Sequence, residues 1–201
     1  MKRKLILASA SPRRREILEQ LGLAFEVCPA CGEEKITTED PEEAVRELAL
    51  QKARETAGRH GEPALVIGAD TVVAYQGKIL GKPADEEDAF RMLRLLSGSV
   101  HMVYTGVAVI DTESGKILAH FVEGTQVSMY PMTEKWIRSY IHTGEPMDKA
   151  GAYAIQGGCM PFIREIRGEY MNVVGFPAAR FCQELLYKGI DLLGQEEEEE
   201  R

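Results

Sequence analysis

Apolar residues recur along the chain with two spacings, and the alternation between them predicts strands and helices in turn. Leu5 to Ala8 is a short apolar run. Ser11-Pro12 after it opens a helix with Ser11 as cap, Pro12 in the first position, and Ile17, Leu18 and Leu21 as the inward stripe before Gly22. Ala24 to Val27 reads as a second strand, and Cys28 to Asp40 lacks any period and reads as an exposed loop rich in acids and threonine. Asp40-Pro41-Glu42-Glu43 starts a second helix that runs to about Gly58, with Val45, Leu48, Ala49 and Ala53 on its buried side.

Ala64 to Ala69 is unbroken apolar, as in a central strand covered on both faces, and Asp70 stands where that strand is expected to end. Val72 to Tyr75 and Lys78 to Leu80 form a hairpin across Gln76-Gly77. A helix from Asp85 places Phe90, Leu93, Leu95 and Leu96 inside and closes near Gly98. Val100 to Asp111 and Lys116 to Tyr130 make a second hairpin through Thr112-Glu113-Ser114-Gly115. Thr133 caps a helix whose Trp136, Ile137, Tyr140 and Ile141 share a face, with Gly144 at its end. Residues 145–176 are glycine-rich with one strand candidate, Pro161 to Ile166, and a last helix spans Pro177 to Lys188. Helices alternating with strands, and hairpins among them, indicate an α/β fold built on a mixed twisted sheet flanked by helices. No repeat or linker divides the chain, so residues 1–194 are expected to form a single domain. Gln195 to Arg201, with five consecutive glutamates, reads as an acidic, disordered and solvated tail.

Composition narrows the function. With 201 residues and 44% apolar content the chain has enough for a sizeable core, which excludes disordered and fibrous classes. No apolar run nears the roughly 18 residues that cross a bilayer, and three arginines rather than a cleavage site follow the first apolar stretch. Four irregularly spaced cysteines fit a reducing compartment, so no membrane partner and a cytoplasmic location are expected. A net charge of −8 excludes a general nucleic-acid binder. Yet residues 1–15 hold Lys2, Arg3, Lys4, Arg13, Arg14 and Arg15 and no acid, which points to a local anion site, with Lys2, Arg3 and Lys4 read as solvated charges.

Ser9-Ala10-Ser11-Pro12-Arg13-Arg14-Arg15 joins the first strand to the first helix. Free backbone N–H groups and the helix dipole favour an anion there, and arginine forks match phosphate oxygens; the same residues equally fit a capped helix with surface arginines. Lys52 falls on the buried stripe of its helix, four residues after Leu48, so it either snorkels or meets an anion. Asp70 at a strand end can hold a divalent cation or take a proton from water, or simply cap the Thr71 turn. Gly81-Lys82-Pro83 offers another loop lysine but fails as a Walker loop, in spacing and in its proline. Glu33, Glu34, Glu145, Asp148, Lys149 and Gln156 sit in loop-like sequence and say little singly. The four histidines have no metal-ligand spacing, so a metal site must be carboxylate-based and suited to Mg²⁺ or Mn²⁺. Cys28-Pro29-Ala30-Cys31 lacks the following helix of a redox dithiol, and Cys159 and Cys182 are spaced too widely to complete a zinc site.

From LILASASPRRREIL through Glu33-Glu34, LALQKA, VIGADTVV, LGKP and RLLSG to GEPMDKAGAYAIQG and GEYMNVVGFP, the sequence resembles the Maf proteins, nucleoside triphosphate pyrophosphatases also named for septum formation. The resemblance covers nearly the whole chain in the expected order. It implies a mixed α/β fold with a deep cleft, hydrolysis between the α and β phosphates of a nucleoside triphosphate, a divalent metal cofactor (Mg or Mn) and, in many members, a homodimer. Carried over by position, Asp70 is the proton acceptor. Glu34 and Asp70 help hold the metal, and Ser9, Arg13, Arg14, Lys52 and Lys82 hold phosphates. Arg13, Thr71 and Gln156 mark the branch that acts on dTTP and UTP rather than on 7-methyl-GTP, and a glutamine amide can pair with the donor and acceptor edge of a pyrimidine. A nucleotide-sensing regulator of septation with little turnover is the alternative from another class. It would bind nucleotide but need neither Asp70 nor metal. Cys28 to Cys31 and the glutamate tail depart from the family pattern.

Overall fold

Seven strands form one mixed sheet in the computed structural model, which describes residues 3–194. Lys2 and the acidic segment 195–201 lie outside the described residues. The first strand, β1 (Lys4–Leu7), runs parallel to β2 (Phe25–Val27) on one side and to β3 (Ala64–Tyr75) on the other. Beyond β3 the sheet continues antiparallel through β5 (Val100–Asp111), β6 (Ile117–Met129) and β7 (Ile163–Arg167), while the short β4 (Lys78–Leu80) pairs back onto β3. Gln76 and Gly77 take left-handed backbone angles, φ 50° and 76°, as the two-residue turn of a β3–β4 hairpin requires.

Side chains alternate across a strand, so β3 has two distinct faces. Leu65, Ile67, Ala69 and Val73 point into the main core with Val103, Val107 and Val109 of β5. On that face lie α1 (Pro12–Gln20), α3 (Glu86–Leu96), α4 (Glu134–Ile141) and α6 (Ala178–Leu186), which contribute Ile17 and Leu18, Leu93 and Leu96, Ile137 and Ile141, and Phe181 and Leu185. The opposite face carries α2 (Pro41–Gly58), whose start is fixed by Asp40 accepting from the amides of Glu42 and Glu43 at 3.0 and 2.9 Å. Such a cap contributes about 1 kcal/mol.

Two glycines let α2 lie directly on the strand backbones. A Cβ on Gly68 would stand 2.2 Å from the carbonyl oxygen of Ala49, and one on Gly106 would stand 2.1 Å from that of Val45. No side chain fits at these points, so Ala49, Ala53, Ala108 and Ile110 close into a small apolar seam between helix and sheet.

The structure corrects several expectations. Asp70 does not end a strand: β3 continues past it to Tyr75, twelve residues in all, because β5 pairs with it from Leu65 to Ala74, so the charge interrupts the apolar run without breaking the ladder. Ser11 has the extended backbone of a cap but its hydroxyl makes no capping bond. Leu95 is exposed and Met92 takes its place in the core, since three leucines in four positions exceed one helical stripe. A five-residue helix, α5 (Tyr170–Val174), forms in the glycine-rich segment where none was expected. Among the described residues no helix is long and apolar enough to cross a membrane.

Candidate active site

β1 pairs with β3 only as far as Ile67, and β4 takes up the same edge only from Val73. Residues 68–72 of β3 thus face a gap in the sheet, just beyond the carboxyl end of β1, the position at which open α/β sheets bind ligands. Asp70 and Thr71 occupy the gap and, being adjacent, point to opposite faces.

Asp70 turns toward α2. Lys52 lies between the two alanines of the Gly68 contact, so the close approach that the glycine permits brings its ammonium to Asp70: Nζ donates to Oδ1 at 2.5 Å. The same ammonium is 2.9 Å from Oε1 of Glu34. Lys52 and Asp70 are each 15% exposed, whereas Glu34 is 55% exposed. The buried-stripe lysine therefore meets anions rather than snorkelling, and two carboxylates converge on one cation.

Glu34 reaches that point because its loop is fastened to α2 by a polar stripe at four-residue spacing. Glu55 accepts from the amides of Cys31 and Gly32 at 2.8 and 3.0 Å, and Arg59 donates to the carbonyl of Pro29 at 2.6 Å. Gln51 accepts from the amide of Lys35 at 3.0 Å and donates to its carbonyl, and Glu47 accepts from the amide of Thr37 at 2.9 Å. The hydrogen bonds from Cys31 and Gly32 hold the Glu55 carboxyl below its ordinary range, and those from Thr37 do the same for Glu47. The repeat Glu47, Gln51, Glu55, Arg59 was readable as one helix face, but its loop partners were not. All four cysteines are free thiols, with Cys31 exposed in this loop and Cys159 buried.

Thr71 turns the other way. Its hydroxyl receives Arg14 Nη2 at 2.9 Å and lies 3.2 Å from the Gly175 carbonyl and 2.9 Å from the Thr105 hydroxyl. Arg14 also donates through Nη1 to the Ser9 hydroxyl at 3.0 Å and through Nε to the Gly175 carbonyl at 2.9 Å. Burial lowers its pKa from the ordinary value, an effect that Asp70 and Glu34 oppose and Arg13 reinforces. Arg14, which the resemblance assigns to phosphate binding, is buried rather than a surface arginine, and three of its donors tie Ser9, Thr71 and Gly175 together. Gly175 presents that carbonyl from φ 134°, a backbone angle that favours glycine. Behind this knot lies Asn172, fully buried, which donates to the Val103 carbonyl and the Thr125 hydroxyl at 3.0 Å each. Thr105, Asn172 and Gly175 escaped the sequence reading, because only contacts across the folded sheet give them roles.

Among the described residues, the remaining candidates make no hydrogen bond or ion pair with this centre. Arg13 is half-buried and near enough to Asp148 to help lower that carboxyl, after the larger effect of the adjacent Lys149. The amide of Gly151 donates to the Gly81 carbonyl at 3.0 Å, which sets the 149–151 segment beside exposed Lys82. Gln156 is exposed one residue beyond buried Ile155 and hydrogen-bonds to none of the other candidates. Glu33 is exposed and outside the cluster. A cavity of about 1040 Å³ lies at the other end of the sheet, lined by Lys4, Leu5, Gly22 and Ile190, and holds none of these groups.

The family model described as Maf-like protein matches residues 4–187. A dTTP/UTP pyrophosphatase of Agathobacter rectalis is 55% identical, over 94% of this chain and 99% of its own. One of Thermococcus kodakarensis is 48% identical, over 95% of this chain and 100% of its own. Among solved structures, the Ham1 protein of Staphylococcus aureus is 10% identical with a TM-score of 0.49, over 94% of this chain and 100% of that one.

Proposed function

Because the chain belongs to the Maf-like protein family, we propose that it is a nucleoside triphosphate pyrophosphatase that hydrolyses dTTP and UTP to the monophosphate and pyrophosphate, with Asp70 accepting the proton of the attacking water. The observation that carries this reading is the meeting of Asp70, Glu34 and Lys52 at the sheet gap, beside the turn that holds Ser9 and Arg14.

The donor set suits a hard divalent cation. Asp70 and Glu34 are oxygen ligands already brought to one point, where an ammonium now sits. Mg²⁺ commonly binds through one or two carboxylates and completes its shell with water and substrate phosphate. Among the described residues no group of three or more His, Cys, Asp or Glu is placed to hold a metal alone, and water and substrate oxygens would complete the shell around Asp70 and Glu34. Bound there, the cation would draw negative charge from the phosphates.

The chain's own groups do the rest. A water oxygen forms a bond to the α-phosphorus while the bond from that phosphorus to the α–β bridging oxygen breaks; the water proton passes to Asp70 and pyrophosphate leaves with the bond electrons. Lys52, released from its carboxylates toward the phosphates, neutralises charge that grows in the transition state, as Arg13 and Lys82 do from the rim. Ser9 donates its hydroxyl to a phosphate oxygen while accepting from Arg14, and Arg14 fixes that geometry from beneath. Gln156 offers its amide to the pyrimidine edge, and Arg13 and Thr71 set the branch preference for dTTP and UTP.

The test is a panel of canonical and modified triphosphates with Mg²⁺ or Mn²⁺, scoring monophosphate, pyrophosphate and orthophosphate separately. dTTP and UTP should lead and release pyrophosphate. Orthophosphate as the sole inorganic product would refute the cleavage point.

A further inference from the structure

The segment from Glu145 to Gly158, which follows α4, carries Asp148 and Gln156. Its middle rests on β3, where a Cβ on Gly151 would stand 2.9 Å from Val73 Cγ1, and the Gly151 amide reaches Gly81 next to Lys82. Its near end carries Asp148 into the field of Arg13. The far end carries Gln156 on a run of turns, where no strand or helix fixes the direction of an exposed side chain.

Two side chains grip that far end. Tyr140, only 4% exposed, donates its hydroxyl to Glu145 Oε1 at 2.6 Å and accepts from the Ala154 amide at 3.1 Å. Both oxygens of Glu145 accept from the Gly158 amide at 3.1 Å. The carboxylate lies so close on the chain that a Cβ on Gly157 would stand 2.0 Å from Oε1, and one on Gly158 would stand 3.0 Å from the Tyr140 ring. Burial, then the bond to Glu145, raises the Tyr140 hydroxyl above its ordinary pKa, so it stays a donor at neutral pH. None of these contacts touches the Asp70 cluster.

We propose that Glu145 is a positioning residue for base recognition: with Tyr140 it clamps the loop at Ala154 and Gly158, on either side of Gln156, and so sets where that amide is presented. The proposal rests on the reading of Gln156 as the group that meets the pyrimidine. A carboxylate accepts the tyrosine hydroxyl and the glycine amide together, whereas a glutamine in its place offers one acceptor and a donor that opposes the amide. The loop then samples several directions, and the amide contact is lost for part of the time.

The experiment measures kcat and KM for dTTP, UTP and dCTP in the full chain and in Glu145→Gln, Tyr140→Phe, Gln156→Ala and the double variant Glu145→Gln/Gln156→Ala. Glu145→Gln should raise KM for dTTP about tenfold, the scale of one lost hydrogen bond, with kcat held within about twofold. It should also flatten the preference over dCTP. The double variant should be no worse than Gln156→Ala alone, because the clamp acts only through the glutamine. Tyr140→Phe keeps the ring stacked on Trp136, 5.1 Å between centroids, and should shift KM the same way by about threefold. Trp136, the chain's single tryptophan, reports by its fluorescence whether that packing survives. Additive losses in the double variant, or a fall in kcat without a change in base preference, would overturn the clamp. A Gln156→Ala protein that keeps its base preference would overturn the reading of Gln156 and the clamp with it; preference lost in Gln156→Ala but kept in Glu145→Gln overturns the clamp alone.

Discussion

Replacing Gly68 by alanine tests whether the close approach of α2 sets the reacting geometry. The added methyl would stand 2.2 Å from the Ala49 carbonyl oxygen, 2.6 Å from the Ala53 amide nitrogen and 2.9 Å from the Ala53 Cβ. Two of these three atoms are backbone, so no rotamer change relieves the overlap and the helix itself must move. Restoring an ordinary contact takes a displacement of about 1 Å. Lys52 lies between Ala49 and Ala53 and moves with them, which lengthens its 2.5 Å contact with Asp70 beyond hydrogen-bond reach. A misplacement of about 1 Å at a reacting centre costs on the order of 100-fold in rate. Overpacking of this kind destabilises by roughly 1–3 kcal/mol, a fall in Tm of roughly 2–12 °C for a chain of this size. The assay is kcat/KM for pyrophosphate release from dTTP, with thermal unfolding in parallel. Gly58→Ala, on the same helix with open space around its added methyl, serves as the control and should keep full activity. A Gly68→Ala enzyme with wild-type kcat/KM would refute the idea that helix–strand spacing governs catalysis.

Three further outcomes follow from other contacts of the fold. Lys52→Met leaves Asp70 and Glu34 without their shared cation, and should lower kcat by roughly 100-fold and unfolding stability by about 2 kcal/mol, read by steady-state kinetics and urea titration. Glu55→Ala frees the amides of Cys31 and Gly32, loosens the approach of Glu34, and should raise the Mn²⁺ concentration for half-maximal activity about tenfold, with kcat at saturating metal nearly unchanged. His101, 2% exposed and 2.8 Å from the Tyr153 hydroxyl, is lowered by burial to a pKa of about 4. Its folded pKa lies below the unfolded value, so the unfolded chain binds the proton first. Its contribution is intact above pH 6.5 and lost as pH falls toward 4, at most about 3 kcal/mol, and urea titrations at pH 7 and pH 4.5 should show this extra acid sensitivity vanish in His101→Gln.

Local patterns carried most of the fold. Asp40 with Pro41 marked the start of α2, Gln76-Gly77 marked the hairpin, and Thr133 marked α4, because each acts on its own neighbours within a few residues. Lys52 was legible as an oddity since a lysine on a buried stripe must find an anion, but its partners, Glu34 and Asp70, come from other elements. Asp70 was placed at a strand end because a charge in an apolar run suggests one; only the antiparallel pairing with β5 carries the strand past it. Arg14 was the least legible. It lies among surface-like arginines, and its burial comes from Thr71 and Gly175, which are 57 and 161 residues away. Helix α5, at five residues, is too short for a 3.6-residue period to register.

Hydrolysis of dTTP in ¹⁸O-enriched water, with both products read by mass spectrometry, asks directly where the water adds. Attack at the innermost phosphorus, next to Asp70, puts one ¹⁸O into dTMP and none into pyrophosphate, and the turnover that yields it should nearly vanish in Asp70→Asn while nucleotide binding stays measurable. Label in pyrophosphate, or undiminished turnover in that variant, would contradict the role given to the Asp70 cluster.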